Sequence, residues 1–151
     1  MSAVIRRSSS GKYYVSLLVE AEVEPLPKTG RTVGMDMGLS DFAVTSDGCH
    51  YPNPSFYRSL EKKLAKAQRV LSRRKEIALK GKKPLLEAKN YQKQRRKVAK
   101  IHERILHARR DYLHKLSTEL VRNYDLIGLE DLQVSGMLKN HRLAKSISDV
   151  S

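Results

Sequence analysis

Two short strand-like runs, each closed by an acid and standing 94 positions apart, constrain this chain more than anything else in it. The first lies in VGMDMGLSDFAVTSDG (Val33 to Gly48), the second in LIGLEDLQVSGM (Leu126 to Met137). Apolar runs of four to six residues bounded by glycine or turn residues read as strands. Asp36 stands at the edge of the first run and Glu130 at the edge of the second. Acids brought together at strand ends can hold Mg²⁺ for phosphodiester chemistry. Everything between the two runs is then an insertion in a small sheet.

That insertion is where the charge lies. Residues 56–110 carry 20 Lys/Arg against 4 Asp/Glu, whereas the rest of the chain carries 10 against 12. The formal charge of +14 therefore sits in one segment on a near-neutral body. A solvated helical face normally mixes signs, and this one hardly does, which points to a nucleic-acid surface. The residues expected to meet phosphate are Lys62, Lys66, Arg69, Arg73, Arg74, Lys93, Arg95, Arg96, Lys97 and Lys100. A merely solvated face is the bland alternative.

At 151 residues with 40% hydrophobic content, the expectation is one domain with a modest core. Within 1–151, residues 11–55 hold the first strands and 56–123 the basic helices. Residues 124–151 hold the second acid's strand and the start of another helix. The one cysteine, Cys49, permits no internal disulfide and no Cys-rich zinc site. The N-terminus MSAVIRRSSSGKYY has no apolar signal region, and no run approaches the roughly 20 apolar residues of a membrane span. A cytoplasmic, prokaryotic setting without membrane partners is the expectation.

Residues 13–22 alternate, with Val15, Leu17, Val19 and Ala21 on one side, and predict a half-buried strand. Ser8-Ser9-Ser10-Gly11 before it reads as a turn. Further strands are expected over 32–37 and 42–45, the latter closed by Ser46-Asp47-Gly48, as consecutive antiparallel strands; Pro52 and Pro54 end the strand region. Leu60, Leu64, Ala67 and Leu71 predict a helix over 59–75. Val98, Ile101, Ile105, Ala108, Tyr112, Leu116 and Leu120 predict a longer one over 85–123. Gly81 and Pro84 interrupt, which suggests an antiparallel helical hairpin. A short strand over 125–129 and a helix from Arg142 follow. The fold class is mixed α/β.

Each local signal has a bland competitor. Gly34 and Gly38 flank Asp36 closely enough to admit a metal or phosphate to the backbone, but Gly-x-Asp-x-Gly also describes a plain strand and turn. Actin-like nucleotide binders open with a strand, an Asp and a Gly, but their loop continues into Thr or Ser; here it continues Leu39-Ser40-Asp41-Phe42. Alternation favours Glu130 over Asp131 only if the ligand-facing side of its strand includes Gly128. His102 and His107 are five apart, which sets their rings about 140° apart on a helix and excludes the zinc-protease arrangement. His50 and His114 have no assignable partner. Tyr57 and Tyr91, interleaved with cations, are candidates for base stacking; Phe42, Tyr112 and Tyr124 suit a core.

Taken together, VGMDMGLSDFAVTSDG resembles the first RuvC motif of the OrfB/TnpB family of bacterial insertion sequences, and LIGLEDLQVSGMLKNHRLAKSISDVS resembles the second. The bridge KVAKIHERILHARRDYLHKLSTELV is similar to that family as well. The resemblance implies a partial RNase H-like (RuvC) sheet with the basic helical hairpin inserted. It implies a transposon-encoded, RNA-guided DNA endonuclease, with DNA and a guide RNA as partners. Asp36 and Glu130 match the first two catalytic carboxylates, which in the family bind Mg²⁺. The basic helices would hold phosphate backbone without reading sequence.

The family also has a four-Cys zinc module and a third catalytic Asp downstream of the second motif, and a guide- and target-recognition region upstream. The first two are expected to be missing from these 151 residues, and the upstream region largely so. Asp149 lies in SISDVS, which matches the helix after the second motif and not the third catalytic strand. The expectation is therefore a truncated nuclease domain with little or no cleavage of its own. A non-catalytic nucleic-acid-binding remnant and an actin-like fragment are the alternatives.

Overall fold

The computed structural model describes residues 2–133 and residue 136. The helix expected from Arg142, and Asp149 within it, lie outside the described residues. The chain divides into two compact units. One takes the residues up to Glu24 together with Leu60–Ala108. The other takes Pro25–Ser59 and the described residues from Arg109 onward.

The first unit opens with a hairpin. Strand β1 (Ser2–Arg7) pairs antiparallel with β2 (Tyr13–Leu18), Arg7 opposite Tyr13. The expected Ser-rich turn joins them, closed by Ser8 N–H to Lys12 O at 2.8 Å and Gly11 N–H to Ser8 O at 3.0 Å. Gly11 has φ +93°, open to glycine and strained for other residues. Two expectations are corrected here. β2 is shorter than 13–22, and it is exposed, with Val15 at 61% and Leu17 at 68%. It also pairs with β1 and not with the strand that follows. Alternation identifies a two-faced strand without saying which strand it pairs with or what covers it.

Helix α1 (Phe56–Lys80) and helix α2 (Lys89–Asn123) follow the expected periodicity, with different ends. α1 runs through Lys80 because its cap is a Schellman turn: Lys83 N–H bonds Ala78 O at 2.9 Å and Lys82 N–H bonds Leu79 O at 3.0 Å. The left-handed position of that cap is Lys82, φ +50°, not Gly81. α2 starts at Lys89, four residues later than expected, because Pro84 accepts from Glu87 and Ala88 in a separate turn. Gln94 Nε2 donates to Ala67 O at 2.9 Å and Arg74 Nη1 to Asn90 O at 2.8 Å, so positions rise in α1 as they fall in α2. The pairing is antiparallel, as the break predicts. Leu64 and Gln94 are buried between them.

The second unit holds a mixed sheet in the order β5-β4-β3-β6. β3 (Thr32–Met37), β4 (Asp41–Thr45) and β5 (His50–Pro52) run antiparallel in succession, and β6 (Leu126–Leu129) joins β3 parallel. β5 lies beyond the expected strands; Pro52 is tolerated because β5 is an edge. Val33, Phe42 and Ala43 form the buried core with Leu116, Leu120 and Tyr124 from the end of α2 and the residue after it. A register shift between Asp41 and Ala43 lets consecutive Phe42 and Ala43 both enter that core. Phe42 and Tyr112 meet edge to face at 5.4 Å, so the three aromatics assigned to the core are in it or packed against it. The fold is mixed α/β.

Candidate functional site

β3 sorts its side chains by alternation. Val33, Met35 and Met37 pack in or against the core, which leaves Gly34 and Asp36 exposed on the other face. β6 repeats the pattern, with Ile127 against the core and Gly128 exposed. Paired residues of neighbouring strands share a face. Gly34 is paired with Gly128 and Met35 with Leu129, so the next step along both strands sets Glu130 beside Asp36. Asp36 and Glu130 line one open cavity of about 590 Å³ with Gly34, Gly128, Val44 and Ser46; Asp131 does not line it. Gly128 is thus on the face of Asp36, the condition that selects Glu130 over its neighbour.

The register that brings the acids together is pinned from both ends. Asp125 N–H donates to Arg31 O at 2.8 Å, just before the β3–β6 ladder begins. The Asp125 carboxylate accepts from Thr29 N–H at 2.9 Å, the Thr29 hydroxyl at 3.0 Å and Gly30 N–H at 2.8 Å. The two backbone donors foremost hold its carboxyl below the ordinary carboxylate range. On the other side, Gly34 exchanges bonds with Ser46: Gly34 N–H to Ser46 Oγ at 3.1 Å and Ser46 N–H to Gly34 O at 2.8 Å. Asp47 accepts from Thr45 and Tyr124 hydroxyls and from Arg31 at 3.3 Å. The Thr45 hydroxyl is the main cause of its lowered pKa. Arg31 also lies over the Tyr124 ring at 4.6 Å. A one-residue slip would turn Glu130 away from Asp36, and these contacts oppose it.

Packing does not demand either glycine of the face. A Cβ at Gly34 would meet Ser46 at an ordinary 3.8 Å, and one at Gly128 would meet Val33 O at 3.9 Å. A side chain at either would instead fill the face beside the acids. Gly38 differs: a Cβ there would lie 2.9 Å from Asp41 O, so the tight β3–β4 turn needs glycine. Among the described residues no group of three or more His, Cys, Asp or Glu is placed to hold a metal. The arrangement sets two carboxylates beside two glycines on one open face.

The cations divide less evenly than their sequence suggests. Lys62, Lys66, Arg69, Arg73, Lys93, Arg95, Arg96, Lys97 and Lys100 are exposed. Among the described residues none of these nine forms an ion pair. Arg74 is half-buried and spends a donor on Asn90 O, which makes it part of the hairpin's packing. Tyr91 is half-buried beside it, lining a cavity with Arg74 and Lys89. His50 has a partner after all: Nδ1 lies 2.8 Å from Asp41 Oδ2. His107 meets the edge of Tyr14 at 6.2 Å.

Sequence reasoning passed over the anchors. Glu103 accepts from Ser10 Oγ at 3.0 Å, Tyr14 OH at 3.0 Å and Lys12 Nζ at 2.9 Å. The lysine foremost pulls its carboxyl down to about 2. Asp125, Asp47 and Glu103 each gather donors from positions distant in sequence, and no local pattern marks them. Among the described residues no helix is long and apolar enough to cross a membrane.

Residues 16–141 match the family model OrfB_IS605, described as "Probable transposase". Over 150 residues the chain is 41% identical to a Streptomyces pristinaespiralis protein named "Putative RNA-guided DNA endonuclease", covering 99% of this chain and 35% of that protein. Over 133 residues it is 38% identical to the Escherichia coli (strain K12) protein "Putative RNA-guided DNA endonuclease InsQ", covering 87% of this chain and 31% of that protein. The chain spans about a third of the length of these curated relatives.

Proposed function

This chain belongs to the OrfB_IS605 family, and from that premise we infer that it forms the RuvC-like, metal-binding part of an RNA-guided DNA endonuclease linked to transposition. The observation that carries the reading is the cavity shared by Asp36 and Glu130 at the ends of neighbouring parallel strands. The sheet order, with β4 antiparallel and β6 parallel to the central β3, supports an RNase H-like arrangement.

The residues fit Mg²⁺. It is a hard cation that takes one or two carboxylates, keeps several waters and completes its shell with substrate phosphate. Asp36 and Glu130 would hold it, and it would supply Lewis-acid stabilisation of phosphate oxygens and activation of water. Gly34 and Gly128 leave the face beside the acids clear, so a phosphodiester can come close to the strands. Ser46 keeps Gly34, and with it Asp36, at a fixed depth through their paired hydrogen bonds. The exposed cations of α1 and α2 would hold DNA or guide RNA by its backbone, without reading sequence.

The test is a titration of the full chain with Mn²⁺ as a spectroscopic substitute for Mg²⁺, counting bound ions by electron paramagnetic resonance. Wild type should bind weakly, and Asp36→Asn and Glu130→Gln should each abolish binding while the fold persists. Binding indifferent to both substitutions would remove the metal assignment.

A further inference from the structure

One cavity in the first unit gathers cations and no acid. It measures about 280 Å³; Arg7, Ser8, Ser9 and Gly11 of the β1–β2 turn form one wall, and Arg95 and Arg96 of α2 form the other. Gln92 also lines it, but its side-chain amide is committed to Leu85 O at 2.7 Å. Among the described residues, no hydrogen bond or ion pair engages the side chains of Arg95 and Arg96 or the Ser9 hydroxyl. Arg7 is held over the Tyr13 ring at 5.6 Å, which orients its guanidinium without neutralising it.

Three arginines without an ion-pair partner line one small space, and their like charges are brought together there unless an anion joins them. The wall opposite α2 is fixed. Ser10 and Lys12, on either side of Gly11, are both tied to Glu103, the first acid on α2. That acid has its donors already and lies outside the cavity. The space is at the small end of ligand pockets, and its lining of three arginines, two serines, a glycine and a glutamine has no apolar side chain to hold a base, so it suits an anionic group. Arginine forks match phosphate oxygens in pairs, and a serine hydroxyl can add a donor. Exposed Lys93, Lys97 and Lys100 continue along the same helix, giving neighbouring phosphates of a polymer somewhere to go.

We propose that this cavity seats one backbone phosphate of a bound polynucleotide, gripped at once by the β1–β2 turn and by α2. The proposal rests on the nucleic-acid reading above and narrows it to a built site. The occupant's phosphate is recognised by charge and geometry, so DNA and RNA should both enter.

The test has two arms on the full 151-residue chain. In the first, inorganic phosphate is added and the backbone amides are followed by NMR. The amides of residues 8–11 should shift, and those shifts should vanish in the Arg7→Gln/Arg95→Gln/Arg96→Gln variant. In the second, affinity for a labelled single-stranded oligonucleotide is measured against salt. A single shared phosphate predicts that the triple variant lowers the slope of log affinity on log salt by about 0.7. Three unrelated surface contacts predict a fall of about 2.1, and that result would overturn the shared site, as would an unchanged slope. A Lys62→Gln/Lys66→Gln/Arg69→Gln control on α1 reports whether the chain uses its cations on polynucleotides at all. If wild type binds no oligonucleotide yet phosphate still shifts the turn, the polynucleotide occupant is overturned along with the wider reading. If phosphate shifts no amide of the turn while oligonucleotide binds, only the cavity's role is overturned.

Discussion

Glu103 ties an exposed hairpin to a helix with one carboxylate, and that sets a pH window. Its pKa of about 2 in the folded chain lies below the ordinary 4.5, because Lys12, Ser10 and Tyr14 all favour the charged form. A lowered carboxyl pKa means that the stabilisation is complete above the ordinary value and fades as pH falls toward the folded one. The stability contributed by Glu103 should therefore fade between pH 4.5 and 2, and the Ser10 and Tyr14 amide shifts should titrate with a midpoint at about 2 in wild type and stay flat in Glu103→Gln. A wild-type midpoint at the ordinary value would show that the three donors do not act in solution. Lys82 offers a second prediction at this scale. It holds a left-handed backbone, φ +50°, at the α1 cap, where glycine carries no steric penalty. Lys82→Gly should raise unfolding free energy by about 1 kcal/mol in urea titration; a loss of stability would mean that the lysine side chain contributes more than its backbone costs.

At the scale of elements, Arg73 and Arg74 are adjacent in sequence and different in role. Arg73 is exposed, whereas Arg74 is half-buried on Asn90 O. Arg73→Ala should lower the salt slope of duplex-DNA binding by about 0.9 with no change in melting. Arg74→Ala should leave the slope alone and destabilise the hairpin by about 1.5–3 kcal/mol, the worth of a charged hydrogen bond. Equal slope changes in the two variants would contradict the division. Helical phase separates this pair: Arg74 continues the stripe of Leu60, Leu64, Ala67 and Leu71 toward buried Ala78, and Arg73 lies about 100° off it. The helices themselves were legible, because Leu60, Leu64, Ala67 and Leu71 repeat at helical spacing whatever packs on them. Their ends were less so: α1 is capped by a lysine where glycine is usual. β1 carries too little alternation in SAVIRR to declare itself, and β5 is three residues ending in proline. For the acid pair, the two carboxylates were legible as strand-end residues, but the choice of Glu130 over Asp131 needed the register that puts Gly128 on the face of Asp36.

At the scale of the whole chain, the proposed metal site rests on two acids sharing one face. Mg²⁺ prefers near-octahedral oxygen coordination, and on the proposed reading two carboxylates, with no group of three or more His, Cys, Asp or Glu gathered among the described residues, would hold it loosely. Purified chain incubated with Mg²⁺ or Mn²⁺ and labelled single- or double-stranded DNA should give little or no cleavage. Cleavage that survives purification and disappears in Asp36→Ala would prove the pair sufficient.

The parallel pairing of β3 with β6 also has a history in time. The two strands are separated by 94 residues at every paired position, from Thr32 with Leu126 to Met35 with Leu129. Closing a loop of that length carries a length-dependent entropic cost of about 4 kcal/mol. At synthesis rates of about 5–20 residues per second, roughly 5–20 s pass between the making of Asp36 and that of Glu130. The cationic stretch 56–110 is made within that interval. A nascent chain is therefore a polycation before its acids can meet. A released fragment of residues 1–120 should already bind an oligonucleotide and bind no Mn²⁺.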